Sequence, residues 1–210
     1  MPAYAGCSFV EFEFDDVDSR HPDVGRLVGQ GTMSAYGENR ALIAQRCGGG
    51  RVRVSAGFRV PRDWLVAAGV DLDDRAAVRA HLLAAFEGWD DRLLDLVRSA
   101  DSGFVNRPIM TLPVGHSWEH VAGITLLGDA AHLMPPLGVG ANLAMLDGAD
   151  LADAVAAAAN LDQVVRRWES AILGGAAGPA RFSVDGLLSL ISPNGVEGAL
   201  RLYERIRAAH

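Results

Sequence analysis

The chain carries, at residues 124–155, the sequence ITLLGDAAHLMPPLGVGANLAMLDGADLADAV. It opens with a short apolar and partly β-branched run, Ile124–Leu127, which is typical of a central strand covered on both faces. From Leu143 onward the apolar residues recur at helical spacing among alanines, which predicts a long helix. A loop rich in proline and glycine separates the two elements. This order of strand, loop and helix predicts an α/β unit that holds a ligand.

The candidate ligand-binding residues lie between the predicted strand and the predicted helix. Asp129 stands just beyond the carboxyl end of the strand, where open α/β sheets bind ligands. Pro135 stops any helix that begins before it, while Gly138 and Gly140 allow the backbone to approach a ligand closely. We expect Asn142 to cap the following helix. The free N–H groups at that helix start would stabilise a ligand that gains negative charge during a reaction.

The stretch resembles the second flavin-binding motif of the class A FAD-dependent aromatic hydroxylases, especially the branch that includes tetracycline-inactivating monooxygenases. In that family the aspartate of Gly-Asp-Ala-Ala-His bonds the ribityl chain of FAD, and the Pro-x-x-Gly-x-Gly-x-Asn loop faces the pyrimidine edge of the isoalloxazine. The resemblance extends more loosely from Gly6 to Trp168. The sequence departs from the family pattern at Val139, where relatives often carry Glu or Gln, so a polar side-chain contact is not expected there.

The resemblance implies an FAD-dependent monooxygenase that uses NAD(P)H and dioxygen to hydroxylate an aromatic or polyketide-like small molecule. Asp129 would be the ribityl ligand, and no catalytic side chain is expected because the cofactor performs the chemistry. Without a ligand, Asp129 would be a helix N-cap and the glycines a plain loop. The implied FAD-binding residues are Gly128, Asp129, Pro135, Gly138, Gly140, Ala141 and Asn142.

The sequence contains no Gly-x-Gly-x-x-Gly fingerprint for the FAD pyrophosphate. The nearest candidate, Gly138–Leu143, lacks the third glycine and follows a proline loop rather than a strand. We therefore expect the chain to correspond to the carboxyl-terminal half of a longer enzyme. Two alternatives stay open: a non-enzymatic module that binds a small molecule and never holds FAD, and one half of a split enzyme that needs a separate N-terminal partner.

The predicted fold class is α+β, with a mostly antiparallel substrate-domain sheet, flanking helices, the second half of an α/β FAD-binding domain and C-terminal helices. The expected divisions are a substrate-binding sheet domain at residues 1–115, a partial FAD-binding domain at 116–160 and C-terminal helices at 161–210. Alternation and turn residues predict the strands, and caps and helical periodicity predict the helices. The predicted strands are Cys7–Phe14, Thr32–Tyr36, Ala41–Arg46, Arg51–Val60 and Phe104–Leu112, and the predicted helices are Asp63–Val70, Asp74–Phe86, Asp90–Ser99, Leu161–Leu173, Val184–Ser192 and a last one that ends at Ala209.

Alternate residues of the predicted meander carry polar groups that could line a substrate pocket. Which face of the sheet they occupy depends on the strand register, since a one-residue slip moves every side chain to the other face. Ile43 and Ser55 belong to the same alternating set. The predicted substrate-binding residues are Ser34, Tyr36, Gln45 and Arg53.

Composition narrows the class of protein. The 210 residues carry a formal net charge of -7, and no basic stripe is present to neutralise phosphates, so nucleic acid is not an expected partner. All 19 basic residues are arginine, which excludes a Walker-type loop and a Schiff-base lysine. No signal peptide or transmembrane run is evident, so we expect a cytoplasmic protein without membrane contact. A strand at 124–127 without neighbours would favour self-association.

The residues His116, Glu119 and His120 spell the inverted zinc-protease pattern His-x-x-Glu-His. That site needs a helix, whereas Pro113 and Gly115 precede the pattern, so we predict a loop before the strand, with His116 and Trp118 packing on that strand, and we predict no metal.

Two further features have alternative interpretations. His132 is either a proton donor near a flavin or a structural hydrogen-bonding residue, and the second interpretation is favoured by its place in a capped turn. Asp147, Asp150 and Asp153 recur every three residues, which predicts a solvated helix face rather than a metal cluster.

Overall fold

A computed structural model describes residues 1–208, so the predicted end of the last helix at Ala209 lies outside the described residues. Within residues 1–208 the chain forms five strands and nine helices. In chain order they are β1 (Ala3–Phe14), α1 (Val17–Arg20), α2 (Pro22–Val28), β2 (Thr32–Gly37), β3 (Arg40–Cys47), β4 (Arg51–Arg59), α3 (Trp64–Ala67), α4 (Arg75–Ala85), α5 (Asp91–Arg98), β5 (Val105–Thr111), α6 (Asp129–His132), α7 (Gly140–Ala156), α8 (Leu161–Leu190) and α9 (Val196–Ala208).

The five strands form one sheet in the order β2-β3-β4-β1-β5. The pairs β2/β3, β3/β4 and β1/β4 are antiparallel, which confirms the predicted α+β class with an antiparallel sheet. β2 and β3 are joined at Glu38 and Asn39, and Asn39 adopts a φ of 57°, a left-handed conformation that asparagine tolerates.

The chain divides into two compact units. The sheet unit comprises residues 6–108 together with the described residues from Ser189 onward, and the motif unit comprises residues 1–5 and 109–188. The domain bounds expected at residues 115 and 160 stay predictions.

The core of the sheet unit lies against one face of the sheet. Three alternate residues in the second half of β1, Val10, Phe12 and Phe14, are fully buried or nearly so, as the alternating pattern predicts. Leu82 of α4 and Leu96 of α5 are fully buried in the same cluster. Burial of side chains of this size contributes about 1.5–3 kcal/mol each, so this face supplies much of the stability of the unit.

The helices of the sheet unit were predicted in part. Asp74 caps α4 by accepting hydrogen bonds from the backbone N–H groups of Ala76 and Ala77, both at 3.0 Å, as a capping aspartate is expected to do. The sequence pattern predicted no helix at residues 17–28, where α1 and α2 lie. Short helices that contain Pro22 and Gly25 show little periodicity, so their pattern is weak.

The predicted strand Ile124–Leu127 is not formed, and this prediction is wrong. The segment makes only an isolated antiparallel bridge between Val121 and Ile124. Ile124 is 64% exposed and Leu127 is 42% exposed, instead of buried. A central strand needs hydrogen-bonding strands beside it, and none of the five described strands pairs with this segment.

The two predicted helices Leu161–Leu173 and Val184–Ser192 are instead one continuous helix, α8, with Pro179 in its interior. Ala176 and Ala180 are buried on this helix, so packing within the motif unit offsets the cost of the internal proline. Within residues 1–208 we find no helix that is both long enough and apolar enough to cross a membrane.

Candidate functional site

The candidate site centres on the junction between Gly128 and Asp129 in the motif unit. Gly128 is the N-cap of α6, with φ 59° and ψ -138°, a conformation that residues with side chains avoid. A Cβ on Gly128 would lie 3.2 Å from the Cβ of Ala144 on α7, so the glycine also allows α7 to approach. Asp129 is the first residue of α6 and is exposed. The junction therefore presents a carboxylate on a closely packed backbone.

The Asp129 carboxylate makes no hydrogen bond or ion pair with any other described residue. Its neighbours, in contrast, are anchored: the backbone N–H groups of Ala131 and His132 both donate to the carbonyl of Gly128 at 2.9 Å. An anchored backbone beneath an exposed, unpartnered carboxylate is an arrangement suited to accepting hydrogen bonds from a ligand.

The segment after α6 forms the predicted proline and glycine loop and leads directly into α7. Pro135 is buried, whereas Gly138 has φ 87° and no other atom lies within 4 Å of the place that a Cβ would occupy there. α7 begins at Gly140, and Ala141 and Asn142 are exposed in its first turn. The first N–H groups of a helix have no intrahelical acceptor, so this end of the 17-residue helix α7 can bind negative charge.

The predicted capping role of Asn142 is wrong. The N-cap of α7 is Val139, and no side chain caps the helix. Asn142 lies inside the first turn because the helix begins earlier than the leucine spacing indicated, at the glycine after Val139. The uncapped first turn leaves its N–H groups available to a ligand.

Asp147 departs from the predicted solvated face. It is 5% exposed, whereas Asp150 and Asp153 on the same helix are exposed. A period of three drifts around a helix of 3.6 residues per turn, so the first member of the series turns inward. Its Oδ2 atom lies 2.6 Å from Nε2 of His132 and accepts a hydrogen bond from the Gly128 backbone N–H at 3.2 Å. A buried carboxylate requires such partners.

His132 is 6% exposed and uses Nε2 for the contact with Asp147. Its Nδ1 has no hydrogen-bond partner among residues 1–208. This geometry favours the structural interpretation of His132, because the ring joins α6 to α7 beneath the candidate site.

A second polar cluster lies in the motif unit, and the sequence pattern did not predict it. His120 contacts Glu169 through Nδ1 at 2.7 Å and Asp162 through Nε2 at 2.8 Å. Glu169 also accepts from Trp118 Nε1 at 3.3 Å and from Thr125 Oγ1 at 2.7 Å. Asp162 and Glu169 stand seven residues apart on α8, a spacing that places both on one face, but only the folded loop reveals their shared partner.

Ionisation of this second cluster follows from these contacts. Hydrogen bonds to Asp162 and then Glu169 raise the pKa of His120. Burial opposes ionisation of Glu169, but hydrogen bonds from Thr125, His120 and Trp118 outweigh it and lower the pKa of that carboxyl. Hydrogen bonds from His120 and Arg166 lower the pKa of Asp162. Both nitrogens of His120 can therefore donate to carboxylates, Nδ1 to Glu169 and Nε2 to Asp162, when the imidazole is protonated.

The inverted zinc-protease pattern lies in a loop, as predicted. Residues 116–120 are not helical, which confirms the loop. The rings of His116 and Trp118 contact each other, with centroids 6.2 Å apart, whereas the strand on which they were expected to pack is not formed. His116 takes no part in the His120 cluster. The two histidines of the pattern therefore have separate environments.

The strand register places the predicted substrate-binding residues on one face of the sheet, opposite the core. Ser34 pairs with Ile43, and Ile43 with Ser55. Gln45 pairs with Arg53, one cross-strand row away. Tyr36 lies two residues along β2 from Ser34 and therefore on the same face.

Two of these residues already have partners within the sheet unit. The Tyr36 hydroxyl lies 2.8 Å from the hydroxyl of Tyr203 on α9, and Arg53 Nε donates to Glu13 at 3.0 Å. Burial, followed by the hydrogen bond to Tyr203, raises the pKa of Tyr36. α9 therefore covers the Tyr36 end of the face.

The other end of this face is open. A cavity of about 370 Å³ lies there. Arg107, which the sequence pattern did not single out, contributes to it and donates to Glu11 at 3.1 Å. The cavity is lined by Glu11, Phe12, Glu13, Arg53, Ser102, Gly103, Phe104, Val105 and Arg107.

Comparison with curated proteins identifies relatives of the chain. No protein-family model matches it. The monooxygenase asqM of Emericella nidulans is 29% identical over 238 residues, covering 97% of the chain and 50% of the relative. The monooxygenase penA of Penicillium thymicola is 27% identical over 73% of the chain and 43% of its own length. The dual O-methyltransferase/FAD-dependent monooxygenase CTB3 of Cercospora beticola is 41% identical over 40% of the chain and 10% of its own length.

Solved structures share the fold. HpxO of Klebsiella pneumoniae, complexed with FAD and uric acid, superposes with a TM-score of 0.77 at 18% identity over 99% of the chain and 50% of HpxO. The tetracycline destructase Tet(51) gives a TM-score of 0.60 at 14% identity over 100% of the chain and 54% of its own length. The chain spans about half the length of the curated relatives it matches first. The expected resemblance is confirmed: the chain is similar to curated proteins named monooxygenases, one of them FAD-dependent, and it shares the fold of FAD-bound HpxO.

Proposed function

We propose that this chain is the flavin-contacting part of an FAD-dependent monooxygenase that hydroxylates an aromatic or polyketide-like small molecule with NAD(P)H and dioxygen. The observation that carries the proposal is the exposed, unpartnered carboxylate of Asp129 on the anchored junction beside the open start of α7. The relatives named monooxygenases and the FAD-bound neighbour support the reaction class.

The residues present fit the flavin end of FAD. Asp129 offers an acceptor for the hydroxyl groups of a ribityl chain, and the loop at Gly138 leaves room for a flat ring to approach the backbone. No Gly-x-Gly-x-x-Gly motif is present in the sequence to hold a pyrophosphate. The residues present could therefore hold the ribityl chain and the isoalloxazine ring of FAD. When bound, FAD supplies the electron transfer and the oxygen chemistry.

The protein's own residues would bind and orient the flavin and stabilise negative charge on it. Asp129 would fix the ribityl chain, while the N–H groups of Gly140, Ala141 and Asn142 would face the pyrimidine edge of the ring. Fixed N–H dipoles stabilise negative charge without reorganising, so they would favour the anionic reduced flavin. No side chain of the site is required as a nucleophile.

The substrate would lie on the open sheet face. Ser34, Gln45 and Arg53 share that face and present hydroxyl, amide and guanidinium groups. Tyr36 would contribute its ring at the end that α9 covers. These groups favour a planar small molecule with hydrogen-bonding substituents.

A second candidate function is that of one half of a split enzyme, completed by an N-terminal partner. The exposed Ile124 lies on a groove of about 400 Å³ in the motif unit, whose lining is mostly apolar. A polypeptide that supplies strands beside residues 124–127 would cover this surface and form hydrogen bonds with the backbone of this segment. In its absence the same surface favours self-association. Co-expression with an upstream half, followed by an NAD(P)H oxidation assay, separates this function from that of a stand-alone binding module.

The proposed FAD site is tested by titrating the purified chain with FAD and with riboflavin while flavin fluorescence is recorded. We expect saturable quenching by both ligands, since the proposed contacts are to the part that they share. Asp129→Ala should weaken binding on the order of tenfold, as loss of a hydrogen bond to a charged group does. Asp153→Ala, an exposed aspartate of α7, is the matched control. A chain that binds aromatic compounds but neither flavin would favour the non-enzymatic module.

A further inference from the structure

Asp147 occupies an unusual position on α7. Among the residues of this helix, all of which the structure describes, Asp147 alone is buried. A helix that packs through its apolar side would bury leucine or alanine instead. The most deeply buried side chain of α7 is therefore a carboxylate, and its hydrogen bonds tie this helix to the segment that contains α6.

Both hydrogen bonds of Asp147 go to the segment that bears Asp129. Its Oδ2 atom meets the Gly128 N–H at 3.2 Å and His132 Nε2 at 2.6 Å. These two partners lie one residue before and three residues after Asp129. The carboxylate thus holds both ends of α6, a single turn that has no side-chain cap of its own.

We propose that Asp147 is a positioning residue that fixes the backbone at Gly128 and thereby directs the Asp129 carboxylate toward the ribityl chain of the flavin. His132 acts with it by holding the far end of α6. The inference rests on the proposed FAD site for its ligand, but the fixing of the backbone can be measured without any ligand.

The first arm of the test measures hydrogen–deuterium exchange of the Gly128 amide by NMR in the full chain without flavin. We expect Asp147→Ala to accelerate exchange on the order of tenfold, because a hydrogen bond to a charged group is lost. Asp150→Ala on the same helix should leave it unchanged. Leu187→Ala, a buried residue of α8, is the control for general destabilisation. Equal acceleration in the Leu187 and Asp147 variants, or none in the latter, would overturn the proposal.

The second arm measures riboflavin and FAD affinity by fluorescence. Asp147→Ala should weaken binding on the order of tenfold. Asp147→Asn should bind flavin more tightly than Asp147→Ala, because the amide oxygen still accepts a hydrogen bond from the Gly128 N–H. Leu187→Ala should bind as the unaltered chain does when folded. If no variant binds flavin while Gly128 exchange rises only in Asp147→Ala, the proposed function fails and the positioning of the junction stands. Unaltered flavin affinity in Asp147→Ala would overturn the link to Asp129.

Discussion

Replacement of Gly128 by alanine should destabilise the chain by about 2–3 kcal/mol. The backbone at Gly128, with φ 59° and ψ -138°, lies in a region that costs a residue with a side chain about 1–3 kcal/mol. The added Cβ would also lie 3.2 Å from the Cβ of Ala144, so α7 must shift by a few tenths of an ångström. The two costs act together because the strained backbone cannot move away from the helix to which Asp147 ties it.

Two other glycines serve as controls in urea unfolding experiments. Gly138 has φ 87°, but no atom beyond its chain neighbours lies within 4 Å of the new Cβ, so Gly138→Ala should cost about 1 kcal/mol from backbone strain alone. Gly174 lies within α8, with no contact at that position and no positive φ, so Gly174→Ala should stabilise by about 0.5–1 kcal/mol. If Gly128→Ala costs no more than Gly138→Ala, the approach of Ala144 to Gly128 does not contribute to stability as described.

Three further predictions concern the polar cluster, the core and the exposed segment. The contribution of His120 to stability should be complete below the ordinary histidine pKa of 6.5 and should be lost as pH rises through the raised pKa of the folded state. The contribution of Glu169 should be present above pH 4.5 and should be lost as pH falls through its lowered folded pKa. The urea midpoints of the unaltered chain and of His120→Gln should therefore differ most between pH 4.5 and 6.5. Leu82→Ala should cost about 2–5 kcal/mol in the same assay, because it leaves a cavity in a fully buried site, and a cost below about 1 kcal/mol would contradict the packing described. Ile124→Asp should reduce self-association in analytical ultracentrifugation with little change in unfolding midpoint, since this side chain is 64% exposed; an unchanged oligomer would show that association uses another surface.

The antiparallel sheet could be predicted from the sequence because its signals are local. Alternation in β1 and the glycine turns between β2, β3 and β4 suffice to fix strands and their order along the chain. The face occupied by Ser34 and Arg53 could not be fixed, since it depends on hydrogen-bond register between strands. The strand expected at 124–127 failed for a related reason: its apolar run has the composition of a strand, but pairing requires neighbours that local sequence does not reveal.

The proline and glycine loop at Gly138 could be predicted from local chemistry, because these residues restrict or free the backbone wherever they stand. Asp129 was expected at the end of a strand that is not formed, so its role as a ligand stays a prediction that depends on the family resemblance. Asp147 and Glu169 were not recognisable as buried, because a carboxylate is buried only when distant partners satisfy it, and those partners are brought together by folding. The contacts of His120 and His132 with these carboxylates could therefore be recognised only in the folded structure.

We propose that the flavin contacts the Gly128-Asp129 junction and the start of α7. A riboflavin titration followed by backbone amide NMR shifts would detect this contact residue by residue. We expect saturable shifts to concentrate at residues 128–129 and 138–142, while amides of helix α4 in the sheet unit stay unchanged. Saturable shifts confined to the sheet unit, or no shift at residues 128–129, would contradict it.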